Sequence, residues 1–382
     1  MKNTFRFKSI YGIALMAAIL VFPTQVEAKK KKEPKDPFKF SIDVEYPRTA
    51  IKSQGSSGTC WAYSTTSFIE SEMMRVGKPE VDLSVMFTVR NTYVDKAEQF
   101  IRWNGKLEFG PGGADHDVIN SIKKYGIVPW SVYPGNEIHE KNVIHNEMDA
   151  VLRAYVDAIV KNPNRKLSTA WKPGFANLVD AYLGKVPETF EYDGKTYTPK
   201  SYAASLGLNF DDYVQVSSFS DHPYYRQFVL EVPDNWVRGK AYNVKIDELD
   251  QIVDYSLRNG YTVAWAADLD KGFNYGLGVA MVPPDNWDGK TFEPGMEPEI
   301  TQERRQEEFL NYQTTDDHGM HLVGIAHDQK GNRFYLEKNS WGEGNRYKGY
   351  SYISPAYIKL KSTCIMVNKN GIPPEIRKEL GI

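Results

Sequence analysis

Between Trp61 and Val76 small and apolar residues at Ala62, Thr65, Phe68, Ile69 and Met73 recur every three to four positions, and Gly77-Lys78-Pro79 closes the run. That period predicts a helix with Cys60 at its mouth. Further helices are predicted over Leu83 to Trp103 and over His116 to Tyr125, where Val118, Ile119 and Ile122 form a stripe ahead of Gly126. Residues 139 to 183 read as mainly helical, through Val143, Met148, Val151, Leu152 and Tyr155 and then, past Pro163, Trp171, Phe175, Leu178, Val179 and Leu183. This stretch is either an insertion or a small domain.

Beyond it the pattern changes. Tyr213 to Phe219, Phe228 to Val232, Thr262 to Ala267, His321 to His327, Phe334 to Asn339, Gly349 to Ile353 and Cys364 to Val367 are short strand-forming runs separated by Gly, Pro and Asp. One helix, Ile246 to Asn259, interrupts them. Helices in one half and antiparallel strands in the other bury separate cores, so an α+β protein of two lobes with a cleft between them is predicted. The length of 382 residues agrees, because one hydrophobic core stops growing near roughly 250–300 residues. A hydrophobic share of 41%, with 24 Tyr, 18 Phe and 8 Trp, is enough to fill both and excludes a disordered or fibrous chain.

Residues 1–28 have the form of a secretion signal: Lys2, Arg6 and Lys8, an apolar run from Ile10 to Phe22, and the small-x-small site Val26-Glu27-Ala28. An uncleaved anchor is the alternative. With no Cys at the cut and no later apolar span, the expectation is an exported protein, periplasmic or extracellular, without stable membrane insertion once the signal is removed. Cleavage would take away three basic residues and one acidic residue, leaving 44 against 48, which gives no reason to expect nucleic acid as a partner. Only Cys60 and Cys364 are present, so at most one disulfide could form, and a chain of this size has no need of it.

Three segments carry chemistry. In Gln54-Gly55-Ser56-Ser57-Gly58-Thr59-Cys60-Trp61, glycines allow a tight backbone path before a thiol, and Gln54 can turn its amide toward a developing oxyanion. A helix start favours thiolate, so the local sequence predicts a lowered Cys60 pKa. In Asp316-Asp317-His318-Gly319-Met320-His321 a polar turn feeds a strand, and His318 is the candidate base. His321, among Leu322, Val323 and Ile325, reads as the packed histidine. In Glu337-Lys338-Asn339-Ser340-Trp341-Gly342, Asn339 can orient an imidazole while Trp341 shields the contact from water, although sheet-end packing would explain Trp341 alone. A metal site built from His318, His321 and His327 lacks a Cys or Glu at ligand spacing.

These segments resemble the papain superfamily of cysteine peptidases, most closely its bleomycin hydrolase/aminopeptidase C branch. Gly112-Gly113 followed by Asp117-Val118, the run Lys124-Tyr125-Gly126-Ile127-Val128-Pro129 and the closing Ile372-Pro373-Pro374-Glu375 add to the likeness, which covers about residues 40–382. It implies a papain-like fold with a helical lobe, an antiparallel β-sheet or barrel lobe and helical insertions. It implies Gln54 as oxyanion donor, Cys60 as nucleophile, His318 as base then acid, and Asn339 as its orienter. Gly112 and Gly113 become a backbone ledge for extended substrate, and Trp341 borders it. The 258 residues from Cys60 to His318 exceed the about 130–150 of simple relatives, so residues 139–210 are read as an insertion. The remaining divisions are a leader at 29–40, the nucleophile lobe at 41–138, the β-rich lobe at 211–367 and an arm at 368–382. In this branch such an arm closes the cleft, so Ile382 is expected to meet the substrate's free amine and make an aminopeptidase. An exported endopeptidase and an idle scaffold are the alternatives. Peptide substrates and a homo-oligomer are the implied partners, with no cofactor and no metal.

Overall fold

Helix α1 (Cys60–Arg75) begins at the nucleophile itself and runs through the middle of the protein, as the computed structural model shows. The structure describes residues 37–136, 142–164 and 166–382. The signal segment 1–28, most of the 29–40 leader and residues 139–141 therefore lie outside the described residues. Strand β1 (Ser41–Glu45) precedes α1; α2 (Val85–Arg102) and α3 (Asp115–Tyr125) follow it. The second helix starts two residues later than its apolar period suggests. Ser84 caps it, its hydroxyl accepting from the Phe87 amide at 3.0 Å, while the Leu83 amide is held by the Glu70 carboxylate at 2.8 Å.

The next stretch holds α4 (Asn146–Val160), α5 (Trp171–Leu183), a hairpin of β2 (Phe190–Tyr192) and β3 (Lys195–Tyr197), and α6 (Pro199–Ser205). Its buried side chains Leu152, Val156, Phe175, Val179 and Tyr202 share one core with Phe68 and Ile69 of α1, Phe87 and Phe100 of α2, and Val118 and Ile122 of α3.

The C-terminal half alternates: β4 (Tyr213–Ser217), β5 (Gln227–Val229), β6 (Lys240–Asn243), α7 (Ile246–Arg258), β7 (Val263–Ala267), β8 (Phe273–Asn274), β9 (Val279–Ala280), α8 (Gln302–Leu310), β10 (His318–His327), β11 (Arg333–Lys338), β12 (Tyr350–Ile353), α9 (Pro355–Lys361), β13 (Ser362–Asn368) and α10 (Pro374–Leu380). The expectation of one helix among these strands is corrected: α8 and α9 lie there too. Helix α8 has no apolar stripe to reveal it. It docks through Arg305, whose buried guanidinium donates to the carbonyls of Ser218, Lys359 and Ser362 at 2.6–2.8 Å.

Eleven strands form one mostly antiparallel sheet in the order β5-β6-β4-β13-β7-β10-β11-β12-β9-β8, with β1 added to β10. Along β10, ten residues long, Met320, Leu322 and Ile325 join Trp265, Tyr335 and the α7 residues Leu249, Ile252, Val253 and Leu257 in the β-lobe core. Gly319 and His321 meet α1 instead: Gly319 lies against Trp61 and Ser64, and His321 Nδ1 lies 2.9 Å from Ser67 Oγ. Alternation along the first half of β10, ahead of a bulge between Leu322 and Gly324, thus places the strand between two cores, and the close approach of Gly319 to Trp61 sets His318 beside the start of α1. The mixed α+β, papain-like architecture expected from the sequence is what the structure has. No helix among the described residues is long and apolar enough to cross a membrane.

Candidate active site

Three distant segments converge where β10 meets α1. The Cys60 sulfur receives the backbone N–H groups of Trp61 and of Gly319, the residue after His318. Gly319 leaves room for this approach, since a Cβ there would stand 3.0 Å from Trp61 Cα and 2.8 Å from Ser64 Oγ. His318 Nε2 donates to Asn339 Oδ1 at 3.0 Å, which leaves Nδ1 as the nitrogen for a thiol proton. The Asn339 carbonyl also accepts from the Ser340 amide at 2.8 Å, so it cannot swing away without losing a second bond. The Trp341 indole stacks on the His318 ring at 4.5 Å between centroids and is braced edge-on by Tyr275 and Phe273.

Gln54 is tied to the same strip. Its amide N–H donates to the Ser340 carbonyl at 2.8 Å, and Ser340 Oγ donates to Gln54 Oε1 at 2.6 Å. With Oε1 fixed, Nε2 is turned into the loop before Cys60, where one N–H goes to the Ser57 carbonyl at 2.8 Å and the second remains a donor to spend. Ser340 is a positioning residue that sequence reasoning overlooked, though it stands inside the Asn339-Ser340-Trp341 motif.

The local argument for a lowered Cys60 pKa is corrected by the structure. Burial pushes the thiol up to about 12; the two backbone N–H groups oppose this, and the Asp234 and Asp316 charges add to it. Burial also pulls His318 down to about 4 against its hydrogen bond to Asn339. Burial thus favours the uncharged form of each group, the thiol and the neutral imidazole. Strand β10 and the loop at 110–113 both pack beside Cys60, and neither is visible in the residues next to it.

The loop carrying Gly112 and Gly113 packs against Trp61, the residue after the nucleophile. Trp61 Nε1 donates to the Pro111 carbonyl at 2.9 Å, and a Cβ at Gly113 would strike the Trp61 ring at 2.8 Å. Lys96 supports this loop from below with hydrogen bonds to the Gly110 and Gly112 carbonyls. The other histidines lie apart: His321 is fully buried and held neutral, and His327 pairs with Asp43 at the far end of β10.

Ile382 is not at the cleft. Helix α10 packs Ile376 and Leu380 into the β-lobe core, Ile382 rests against the same cluster, and its amide bonds to the Arg377 carbonyl at 3.2 Å. The expectation of an arm in the cleft is corrected: the apolar i, i+4 pair Ile376 and Leu380 docks the segment as a helix on the β lobe.

Comparison with known proteins accords with this geometry. The Peptidase C1-like family model matches residues 108–381, and that of the papain family cysteine protease matches residues 40–170. Aminopeptidase C of Lactococcus lactis subsp. cremoris is 25% identical over 88% of this chain and 84% of its own. Bleomycin hydrolase of Rattus norvegicus is 23% identical over 85% and 82%. The crystal structure of PepW from Lactobacillus rhamnosis superposes with a TM-score of 0.71 at 21% identity, covering 89% of this chain and 84% of that one, a likeness of fold.

Proposed function

The chain belongs to the Peptidase C1-like family of cysteine peptidases, and from that premise we propose that it shortens peptides from their amino ends by acyl transfer through Cys60. The observation that carries the reading is the junction at Gly319: one backbone N–H on the Cys60 sulfur, with a braced imidazole on the preceding residue. In the reaction the thiol proton passes to His318 Nδ1 as sulfur attacks the scissile carbonyl. The Cys60 amide and the Gln54 side chain hold the oxyanion, and the imidazolium, kept in plane by Asn339 and Trp341, returns the proton to the leaving amine. Water activated by the same imidazole then releases the acyl group.

The amino-end preference draws on the aminopeptidase C relatives. The docking of α10 away from the cleft favours a second reading, an endopeptidase, over any stop built from Ile382. Digestion of a mixed peptide pool separates the two. Products shortened only from the amino end are expected, and Cys60→Ala should abolish them; internal cleavage by a Cys60-dependent activity would establish the endopeptidase, and hydrolysis persisting in Cys60→Ala would remove the thiol mechanism. Export through residues 1–28 is likewise proposed, checked by amino-terminal sequencing of the secreted protein for a start at Lys29.

A further inference from the structure

The loop between β5 and β6 leaves its own lobe and crosses the cleft. It is stiffly made: Asn235 Nδ2 donates to the Leu230 and Gly239 carbonyls at 2.7 and 2.9 Å, and Asn235 Oδ1 accepts from the Gly239 amide at 2.6 Å. Two contacts pin it to the helical lobe, Trp236 Nε1 donating to Asp117 Oδ2 of α3 at 2.9 Å and the Arg238 guanidinium lying 4.2 Å over the Trp103 ring. A third contact ties it to the catalytic turn, where the Asp234 amide donates to the carboxylate of Asp316, two residues before His318.

Asp234 thereby spans the non-catalytic end of the groove. On one side its backbone is held at the His318 turn. On the other its carboxylate lies on Gly112, where a Cβ would land on the carboxylate oxygens. An extended peptide laid along Gly112-Gly113 with its carbonyl at Cys60 meets this carboxylate as an obstruction. Among the described residues Asp234 has no hydrogen bond or ion pair from its side chain. The nearest cation, Lys96, is buried and directs its hydrogen bonds to the Gly110 and Gly112 carbonyls, and the other charges around Asp234 are the acids Glu108, Asp117 and Asp316. Both cleft acids are held above the ordinary carboxylate range, Asp316 up to about 8, first by burial and then by acids around them, Glu108 and Asp117 at Asp234 and Asp234 and Asp115 at Asp316. Lys96, the cation that acts on Asp234, is thus already committed to backbone carbonyls.

Building on the aminopeptidase reading, we propose that Asp234, positioned by Asp316, receives the α-ammonium of the substrate and supplies the barrier that confines cleavage to the amino end. A free α-ammonium supplies the direct partner that the Asp234 carboxylate has not found within the protein. An acylated terminus would bring both bulk and an unpaired carbonyl against a carboxylate. The stop is thus made by a loop of the β lobe.

The test pairs three fluorogenic substrates of identical side chain: free amine, N-acetyl, and the α-hydroxy analogue in place of the amine. Wild type is expected to prefer the free amine to either blank by ~10–100-fold in kcat/KM, the range of a charge-assisted hydrogen bond. In Asp234→Asn that ratio should fall by about the same factor, with active-site titration of Cys60 by an epoxide certifying the fold. Asp316→Ala, which releases the Asp234 amide, should lower the ratio, and Asp316→Asn, which keeps an acceptor, should restore it. If wild type shows the preference and a titratable Asp234→Asn retains it, the anchor is refuted while the aminopeptidase reading stands. If wild type hydrolyses acetylated and hydroxy substrates as fast as the free amine, both fall and only the thiol peptidase remains. Should Asp234→Asn fail to titrate, the wild-type ratio of amine to hydroxy substrate decides: equal rates refute the anchor.

Discussion

Replacing Gly319 with Ala tests whether the spacing between β10 and α1 sets the chemistry. The added Cβ would stand 2.8 Å from Ser64 Oγ, 3.0 Å from Trp61 Cα and 3.1 Å from Trp61 N. Ser64 can rotate its hydroxyl away, giving up its bond to the Trp61 carbonyl. The two Trp61 contacts are backbone and cannot yield without moving the helix start. Ordinary carbon contacts begin near 3.5 Å, so strand and helix must part by about 0.5 Å. Overpacking of this kind costs ~1–3 kcal/mol, which at a few degrees per kcal/mol lowers Tm by roughly 2–10 °C. The displaced atoms are the Gly319 N–H on the sulfur and the imidazole beside it. A misplacement of ~1 Å costs about 10²-fold, so half of that is worth roughly tenfold, and kcat/KM should fall by ~10–100-fold with KM little changed. The assay is hydrolysis of an aminoacyl coumarin together with a thermal melt. Gly344→Ala is the control, since a Cβ there meets nothing within 4 Å and it should behave as wild type. A Gly319→Ala enzyme with unchanged kcat/KM would refute the claim that this contact fixes the distance between thiol and base.

Asn339→Ala leaves His318 Nε2 buried without its acceptor and should lower kcat by ~10–100-fold, read from steady-state rates with Cys60 titrated in both proteins; equal kcat would mean that the imidazole is held by Trp341 alone. Lys338, 5% exposed, is pulled by burial from 10.5 to about 8, so between those values the unfolded chain binds more protons than the folded one and this group makes stability rise with pH. Urea midpoints at pH 7.5 and 10 should therefore show wild type gaining roughly 2–4 kcal/mol relative to Lys338→Met, and parallel behaviour of the two proteins would contradict it. Leu380→Ala should cost about 2–4 kcal/mol by emptying a core position, without raising hydrolysis of N-acetylated peptides; a gain of that activity would return the C-terminal helix to the cleft.

The chemistry was legible because each of its pieces is local. Cys60 before an apolar-periodic helix, His318 at a turn entering a strand, and Asn339-Ser340-Trp341 after another strand are read within a few residues. The long buried strands β10 and β11 announce themselves by composition. What escaped was carried by backbone or by charge. Strand β1 is mostly exposed and joins the sheet through its main chain on β10, so it shows no apolar alternation. Helix α8 is buried through Arg305 and thus reads as a polar loop. Two residues suffice for β8 and for β9, too few for any period.

The Cys60 thiol shows most clearly where local reasoning stops. Its helix start and the Trp61 amide, both inferable from sequence, favour thiolate. Burial opposes them, and among the elements packed around the nucleophile are Gly319, which follows 259 positions later, and the 110–113 loop that Trp61 itself anchors. The sign of the result was decided by elements whose proximity no neighbouring residue encodes. Asp234 makes the same point about specificity. Within Val232-Pro233-Asp234-Asn235-Trp236 it is an ordinary turn aspartate, and only the crossing of the loop to Gly112 gives its charge a substrate to read. A catalytic constellation must recur in recognisable form because the reaction constrains it. The stop that turns such a cleft toward chain ends needs only a barrier and one negative charge at the right distance, and any loop that reaches across can supply them.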